Sequence, residues 1–285
     1  VHPTHGAGSF CVTGDVDIGG LATIGALKRW NPAFGAPDLA SFDAELTAGR
    51  TLYPTYYRRM APLNRRGPRQ VGPSEPHALT TERFAEVRDS GAWILDARDR
   101  WAFAEVHVKG AWNIEAGDSF AAYAGWLLPF DAPIALIVDS PEQEVDVRDE
   151  LMRIGFDHVL GHLAGGMDAW LATGGDTSSY GTASWEELRD PSEERVLDVR
   201  QPYEWRDGIV PGSDLVFVAD LPAALDDLDR RAHYIVACRT GVRAAIAASL
   251  LDAAGIAARP VVDGGIPALP AEDLERVDQV GPTEA

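Results

Sequence analysis

Short apolar runs recur along this chain, and stretches of helical composition lie between them. RVLDV (195–199) and YIVA (234–237) have the length of buried strands. AAIAASLLDAAG (244–255) is rich in alanine and leucine and stops at Gly255, as a helix with a glycine terminator does. ARPVVDGG (258–265) reads as a further short strand and turn. An upstream stretch, WILDARDRWAFAEVHVKGAWNI (93–114), carries the same alternation of strand and helix. Strands alternating with helices predict a parallel sheet covered on both faces, an α/β fold.

The recurrence extends to individual residues. At a constant offset of 102, Asp96 matches Asp198, Arg98 matches Arg200, Trp101 matches Tyr203, Phe103 matches Trp205 and Gly110 matches Gly212. Further on, LAGGMDAW (163–170) parallels VDGGIPAL (262–269). One order of aspartate, arginine, aromatics and glycines points to an internal duplication. Two breaks rich in proline, glycine and small polar residues, 62–77 and 172–184, read as linkers. They divide the chain into 1–73, 74–178 and 179–285. The first piece has a glycine-rich opening, then a helix within 38–60 that breaks at Pro54 before an aromatic-basic segment. It lacks a hydrophobic run adequate for a core and reads as the remnant or edge of a larger domain.

Composition narrows the function classes. The length of 285 residues fits two domains or three small ones. A formal net charge of −19 argues against nucleic acid as a partner, since that binding needs a basic face. A small anionic substrate is not excluded, because local arginines can hold one; lysine is confined to Lys28 and Lys109. No apolar run reaches the roughly 20 residues of a membrane span, and no secretory signal opens the chain. Cys11 and Cys238 lie far apart, so a reduced, cytoplasmic setting without disulfides is expected.

The candidate chemistry lies in YIVACRTGVR (234–243). Ligands of α/β sheets bind beyond the carboxyl ends of strands, and Cys238 stands at that end. Gly241 permits a tight turn, and the loop Arg239-Thr240-Gly241-Val242 runs into a helix N-terminus near Arg243. Inward N–H groups and the helix dipole favour a thiolate, and Arg239 and Arg243 add donors for an oxyanion. The other reading is a buried cysteine that ends a strand. In the first repeat the equivalent stretch, IALIVDSPEQEVDVRDEL, puts Asp139 or Ser140 where the cysteine stands, in a loop made acidic by Glu142, Glu144 and Asp146. No serine-hydrolase motif surrounds Ser140. His107, His158 and His162 are read as single surface or packing residues in loops.

LDVRQPYEW (197–205), GIVPGS (208–213), CRTGVR (238–243) and VDGG (262–265) together resemble the rhodanese family of sulfurtransferases, over 78–175 and 180–275. The resemblance implies two rhodanese-like domains, the first without a catalytic cysteine. It makes Cys238 the nucleophile that takes a sulfane sulfur from a donor such as thiosulfate, carries it as a persulfide and passes it to a thiol acceptor. The backbone from Arg239 through Thr240, Gly241 and Val242 to Arg243 would cradle the donor, Asp198 and Arg200 would brace the loop as a buried ion pair, and no cofactor is implied. Two departures stand out: no histidine precedes the V-P-G turn, and Leu269 occupies the family's tryptophan position. Related cysteine phosphatases hold five residues between cysteine and arginine; here there are four.

VHPTHGAGSFC (1–11), TIGALKRWNPAF (23–34) and YRRMAPLNRRGP (57–68) resemble the last third of a metallo-β-lactamase-fold domain, of the persulfide dioxygenase branch that occurs fused to rhodanese repeats. His5 matches a late histidine of that fold, a residual metal ligand only if an upstream domain is present. Fe(II) or Zn is thus expected only in a longer parent protein, since one histidine cannot hold a catalytic metal. A truncated piece of this kind would expose apolar surface, which leaves room for a homodimer. Three functions are carried forward: a sulfurtransferase working through Cys238, a non-catalytic binding module, and a fragment of a dioxygenase–rhodanese fusion.

Overall fold

A computed structural model describes residues 23–25, 28, 35–47, 54–67 and 75–277. The chain divides into two compact units, Val1–Tyr53 and Pro54–Ala285. In the first, helix α1 (Leu39–Thr47) is capped by Asp38, whose Oδ1 accepts from the Ser41 N–H at 2.7 Å. His5 and Cys11, and much of the stretch read as a metallo-β-lactamase remnant, lie outside the described residues.

The second unit opens with α2 (Tyr57–Arg66), which corrects the linker expected over 62–77: the helix runs through Pro62. A proline inside a helix removes one hydrogen bond, and tertiary packing outweighs that loss here. Leu63 packs against Gly155, the Tyr56 ring fills the space where Gly125 has no side chain, and the Arg59 guanidinium lies 3.9 Å from the centre of the Phe130 ring.

The first repeat then runs β1 (Ala78–Leu79), α3 (Thr81–Asp89), β2 (Trp93–Asp96), α4 (Arg100–Glu105), β3 (His107–Val108), β4 (Trp112–Asn113), α5 (Phe120–Leu127), β5 (Ile134–Ile137), α6 (Pro141–Arg153), β6 (Val159–Leu163), α7 (Gly166–Ala172) and β7 (Thr177–Ser178). Five strands form one parallel sheet in the order β1-β6-β5-β2-β4. The short β3 and β7 pair antiparallel, so part of the second expected linker is strand. Helix starts are set by side-chain caps: Thr80 accepts from Arg83 N–H, Asp99 from Trp101 and Ala102 N–H, and Ser140 from Gln143 N–H.

The second repeat has a 3-10 turn at Trp185–Arg189, β8 (Arg195–Asp198), a 3-10 turn at Pro202–Asp207, β9 (Asp214–Leu215), α8 (Leu221–Ala224), β10 (Tyr234–Ala237), α9 (Val242–Ala253) and β11 (Ala258–Pro260). Its parallel sheet has the order β11-β10-β8-β9. The offset of 102 holds from β2/β8 to β4/β9 and becomes 100 by β5/β10, where the second repeat is two residues shorter. Matching hydrogen bonds follow: Ile114 N–H to Asp96 O and Val216 N–H to Asp198 O, each 3.1 Å.

Each repeat has its own core. Phe84, Ile94, Phe103, Ile137 and Trp170 build the first; Leu188, Val196, Ile235, Val261 and Leu269 build the second. Trp170 and Leu269 occupy corresponding core positions, so the tryptophan missing from the second repeat is a packing substitution. Helix α9 is buried almost all round, from Arg243 to Leu251. It packs on its own sheet and also on β4 of the first repeat, where Asn113 N–H donates to Ser249 Oγ at 2.9 Å. Its alanines let backbone approach backbone on both sides.

The histidines need correcting. His107 lies in β3 and is fully buried, with Nδ1 2.7 Å from Phe103 O and Nε2 3.1 Å from Asp252 Oδ2 of the second repeat. His162 lies in β6, buried beside Glu144. Of these three, His158 alone is an exposed loop residue, as expected. Sequence spacing carries no trace of the Asp252 and Glu144 contacts, since they join separate segments.

Candidate functional site

Strand β10 is wholly buried between β8 and β11, and it delivers Cys238 to the carboxyl edge of the sheet. Cys238 itself is 1% exposed. Its Sγ accepts a hydrogen bond from Gly241 N–H at 3.1 Å, and its carbonyl accepts from Ile266 N–H at 3.0 Å. The loop therefore curls back over the sulfur, and the 262–266 segment clamps it from the side. Gly241, with φ of 91°, is the N-cap of α9, so the helix axis begins beside the thiol. Such a position stabilises negative charge on sulfur.

The residues expected around the cysteine separate into two groups. Arg239 and Thr240 are exposed; Gly241 and Arg243 are buried, with Val242 between. Arg243 does not stand free. Its guanidinium makes a bidentate pair with Glu204, Nη2 to Oε1 at 2.9 Å and Nη1 to Oε2. Burial alone would lower the Arg243 pKa, but the Glu204 hydrogen bonds raise it above its ordinary value. Burial likewise would raise Glu204, and the Arg243 guanidinium overcomes this and holds the carboxyl below its usual range.

Asp198 and Arg200 form a buried, two-pronged ion pair, and Arg200 Nη2 also donates to Gly208 O. Burial raises the Asp198 pKa, and the Arg200 hydrogen bonds oppose that rise. The pair fixes the 200–208 segment, which carries Glu204; its reach to the cysteine loop passes through Glu204 and Arg243. The first repeat copies the arrangement with Asp96, Arg98 and Val106 O.

Three further residues, all from the first repeat, bear on the loop: Arg100 touches it, Glu115 holds Arg100, and Tyr123 acts through space. Arg100 Nη1 donates to Thr240 O at 3.1 Å and lies 3.5 Å from Val262 O, while its Nε donates to Glu115 Oε2 at 2.7 Å. Tyr123 on α5 lies within the electrostatic reach of Cys238, Arg243 and Glu204; burial pushes its phenol up to about 12, so it stays a protonated donor. Sequence reasoning confined the site to the second repeat and missed these three, as well as Glu204. None has a signal at the repeat offset: Arg100 stands against Pro202, and Glu204 against Ala102.

The strand register corrects the expected equivalent of the cysteine. Ile137 and Ala237 pair with Asp96 and Asp198, so Val138, not Asp139 or Ser140, stands where Cys238 does. Asp139 is exposed, and Ser140 caps α6. Glu142, Glu144 and Asp146 belong to α6 rather than to a loop. Glu144 is fully buried, bound to Arg148 and the His77 N–H. A cavity of about 380 Å³ lies at this end, lined by Val138, Asp139, Ser140, His162 and Asp168 among others. Among the described residues no cluster of three His, Cys, Asp or Glu could hold a metal ion, and no helix is long and apolar enough to cross a membrane.

Comparison with known proteins matches the rhodanese-like domain family at residues 80–173 and 184–272, well over half of the chain. YtwF of Bacillus subtilis (strain 168), whose name assigns it provisionally to the sulfurtransferases, is 32% identical over 75 residues, 26% of this chain and 73% of YtwF. Among solved structures, the rhodanese-like domain protein from Staphylococcus aureus is 30% identical with a TM-score of 0.30, covering 33% of this chain and 90% of that one. Thiosulfate sulfurtransferase from Pseudomonas aeruginosa is 22% identical with a TM-score of 0.32, covering 66% of this chain and 41% of that one.

Proposed function

This chain belongs to the rhodanese-like domain family, and on that premise we propose that its second repeat is a sulfurtransferase working through a Cys238 persulfide. The Cys238 thiolate attacks the outer sulfur of thiosulfate. A new S–S bond forms, the donor's S–S bond breaks, and sulfite leaves with the electron pair. With a persulfide donor the leaving group is the donor's thiolate. An acceptor thiolate then attacks the terminal sulfur of the enzyme persulfide and restores the Cys238 thiolate. Small anionic donors and thiol acceptors are thus the partners.

One observation carries this reading: the same strand end in the first repeat is built around Val138, fully packed, so a thiol is not needed there for packing. The Gly241 N–H aimed at Sγ supports it. The test is sulfur transfer from thiosulfate by Cys238→Ser, together with the mass of the parent after donor treatment. The expected outcome is one added sulfur on the Cys238 peptide and loss of transfer in the variant. Transfer by the variant at the parent's rate would refute the proposal.

A second reading, a binding module without turnover, is favoured by the engagement of Arg243 with Glu204, which leaves that guanidinium already paired. No adduct with any donor would support it. The proposal for residues 1–73, an edge of a metallo-β-lactamase-fold persulfide dioxygenase, rests on the sequence resemblance. It predicts that any Fe(II) or Zn belongs to a longer parent protein, which metal analysis of parent and chain would decide.

A further inference from the structure

The first repeat has no cysteine, yet its Arg100 touches the loop that holds Cys238. The contact is specific. Arg100 Nη1 donates to the carbonyl of Thr240, and the N–H of the same peptide unit, on Gly241, donates to Cys238 Sγ. In a trans peptide the carbonyl and the N–H point in opposite directions. The three groups therefore form one line: guanidinium, peptide plane, sulfur. Glu115 fixes the guanidinium through Nε, and the Arg100 side chain is 12% exposed. A hydrogen bond accepted by a peptide carbonyl polarises the N–H on its other side, and the effect is larger away from water.

We propose that Arg100 is a positioning residue for Cys238, locking and polarising the Thr240–Gly241 peptide so that its N–H holds the sulfur as an anion. The cysteine-free repeat then has a role in the chemistry of the other repeat. The inference rests on the sulfurtransferase reading for its purpose, but not for its test. Arg100 does not touch the sulfur. The groups that face Cys238 directly or through space are Gly241 N–H and Arg243 on its own side, with Glu204 behind Arg243, and Tyr123 from α5. Arg100 acts behind the loop, and none of these replaces it on the Thr240 carbonyl. A Cβ added at Gly241 would run into the Val262 carbonyl and stand 2.9 Å from Arg100 Nη1.

The test follows alkylation of Cys238 by iodoacetamide as a function of pH, with the Cys238 peptide quantified by mass spectrometry so that Cys11 does not contribute. No sulfur donor is present. In Arg100→Ala and in Arg100→Gln the midpoint should move up by about half a pH unit, and the neutral-pH rate should fall about threefold. Arg100→Lys, which keeps the charge, should recover part of the shift. If alanine unfolds the chain, glutamine, which fills nearly the same space, decides. A midpoint equal to the parent's in a folded Arg100→Gln protein overturns the proposal. Should the parent transfer no sulfur while the midpoint still shifts, the sulfurtransferase reading fails and the role of Arg100 stands.

Discussion

At Gly241 the backbone has φ of 91°, and an added side chain would run into the carbonyl of Val262. Left-handed backbone and a close neighbour both exclude other residues there. Gly241→Ala is expected to cost more than about 1 kcal/mol and to pull its N–H away from the sulfur. Urea unfolding and Cys238 alkylation measure the two effects separately. Glu204 carries a different kind of constraint. Its folded-state pKa lies below the ordinary 4.5, because Arg243 outweighs its burial. The stability from this pair is therefore complete above that unfolded value and is lost as pH falls through the depressed folded value. Glu204→Gln leaves Arg243 buried without its counter-charge, an expected loss of about 3–5 kcal/mol at neutral pH. The variant should also lose less stability than the parent on acidification. Melting temperatures between neutral pH and about pH 3 would show both.

The two strand–loop–helix elements, β5 to α6 and β10 to α9, differ in what they offer a sulfur atom. The third residue after Cys238 is Gly241, and the third after Val138 is Pro141, which has no N–H to give. Exposed Asp139 and Glu142 add negative charge where Arg239 and Val242 stand in the other repeat. Val138→Cys should fold, since the swap removes only about one methyl group from a packed site, a cost of about 1 kcal/mol, and should gain no sulfur at position 138 from thiosulfate. A persulfide there under conditions that load Cys238 would show that the loop around the cysteine contributes little. The element scale also explains the alanines of α9. A helix on an ordinary surface is buried on one stripe, whereas α9 serves two sheets and is buried almost all round.

Across the second compact unit, polar ties between the repeats include Asn113 to Ser249, His107 to Asp252, and Arg100 to Thr240. Asp252 also accepts from Ser178 Oγ at 2.9 Å. Burial alone would raise the Asp252 pKa; His107 and Ser178 more than offset this and hold it below 3.8. Its contribution is present above that value and fades as pH falls through the folded one. Asp252→Asn keeps the shape and removes the charge. A loss of about 1–3 kcal/mol at neutral pH is expected, shrinking toward zero in acid. Because the tie spans both repeats, the variant should also loosen their cooperative unfolding, visible as a broader or split calorimetric transition. An unchanged, single transition at all pH values would remove Asp252 from this role.

The sequence by itself determined the α/β class, the duplication at an offset of 102 and the position of Cys238 at a strand end. These follow from local periodicity and repeated residue order, which depend on neighbours in the chain. The buried pairing of Asp198 with Arg200 was legible only through the family resemblance. Tertiary structure decided the rest. The register of β5 and β10 assigned Val138 to the cysteine's place, after a deletion that composition could not locate. Packing carried α2 through Pro62. Most of all, Arg100, Tyr123 and Glu204 came to the cysteine loop from segments 34 to 140 residues away. Nothing local in those segments refers to Cys238; the folding of the second repeat on itself brings Glu204 to it, and the docking of one repeat on the other brings Arg100 and Tyr123.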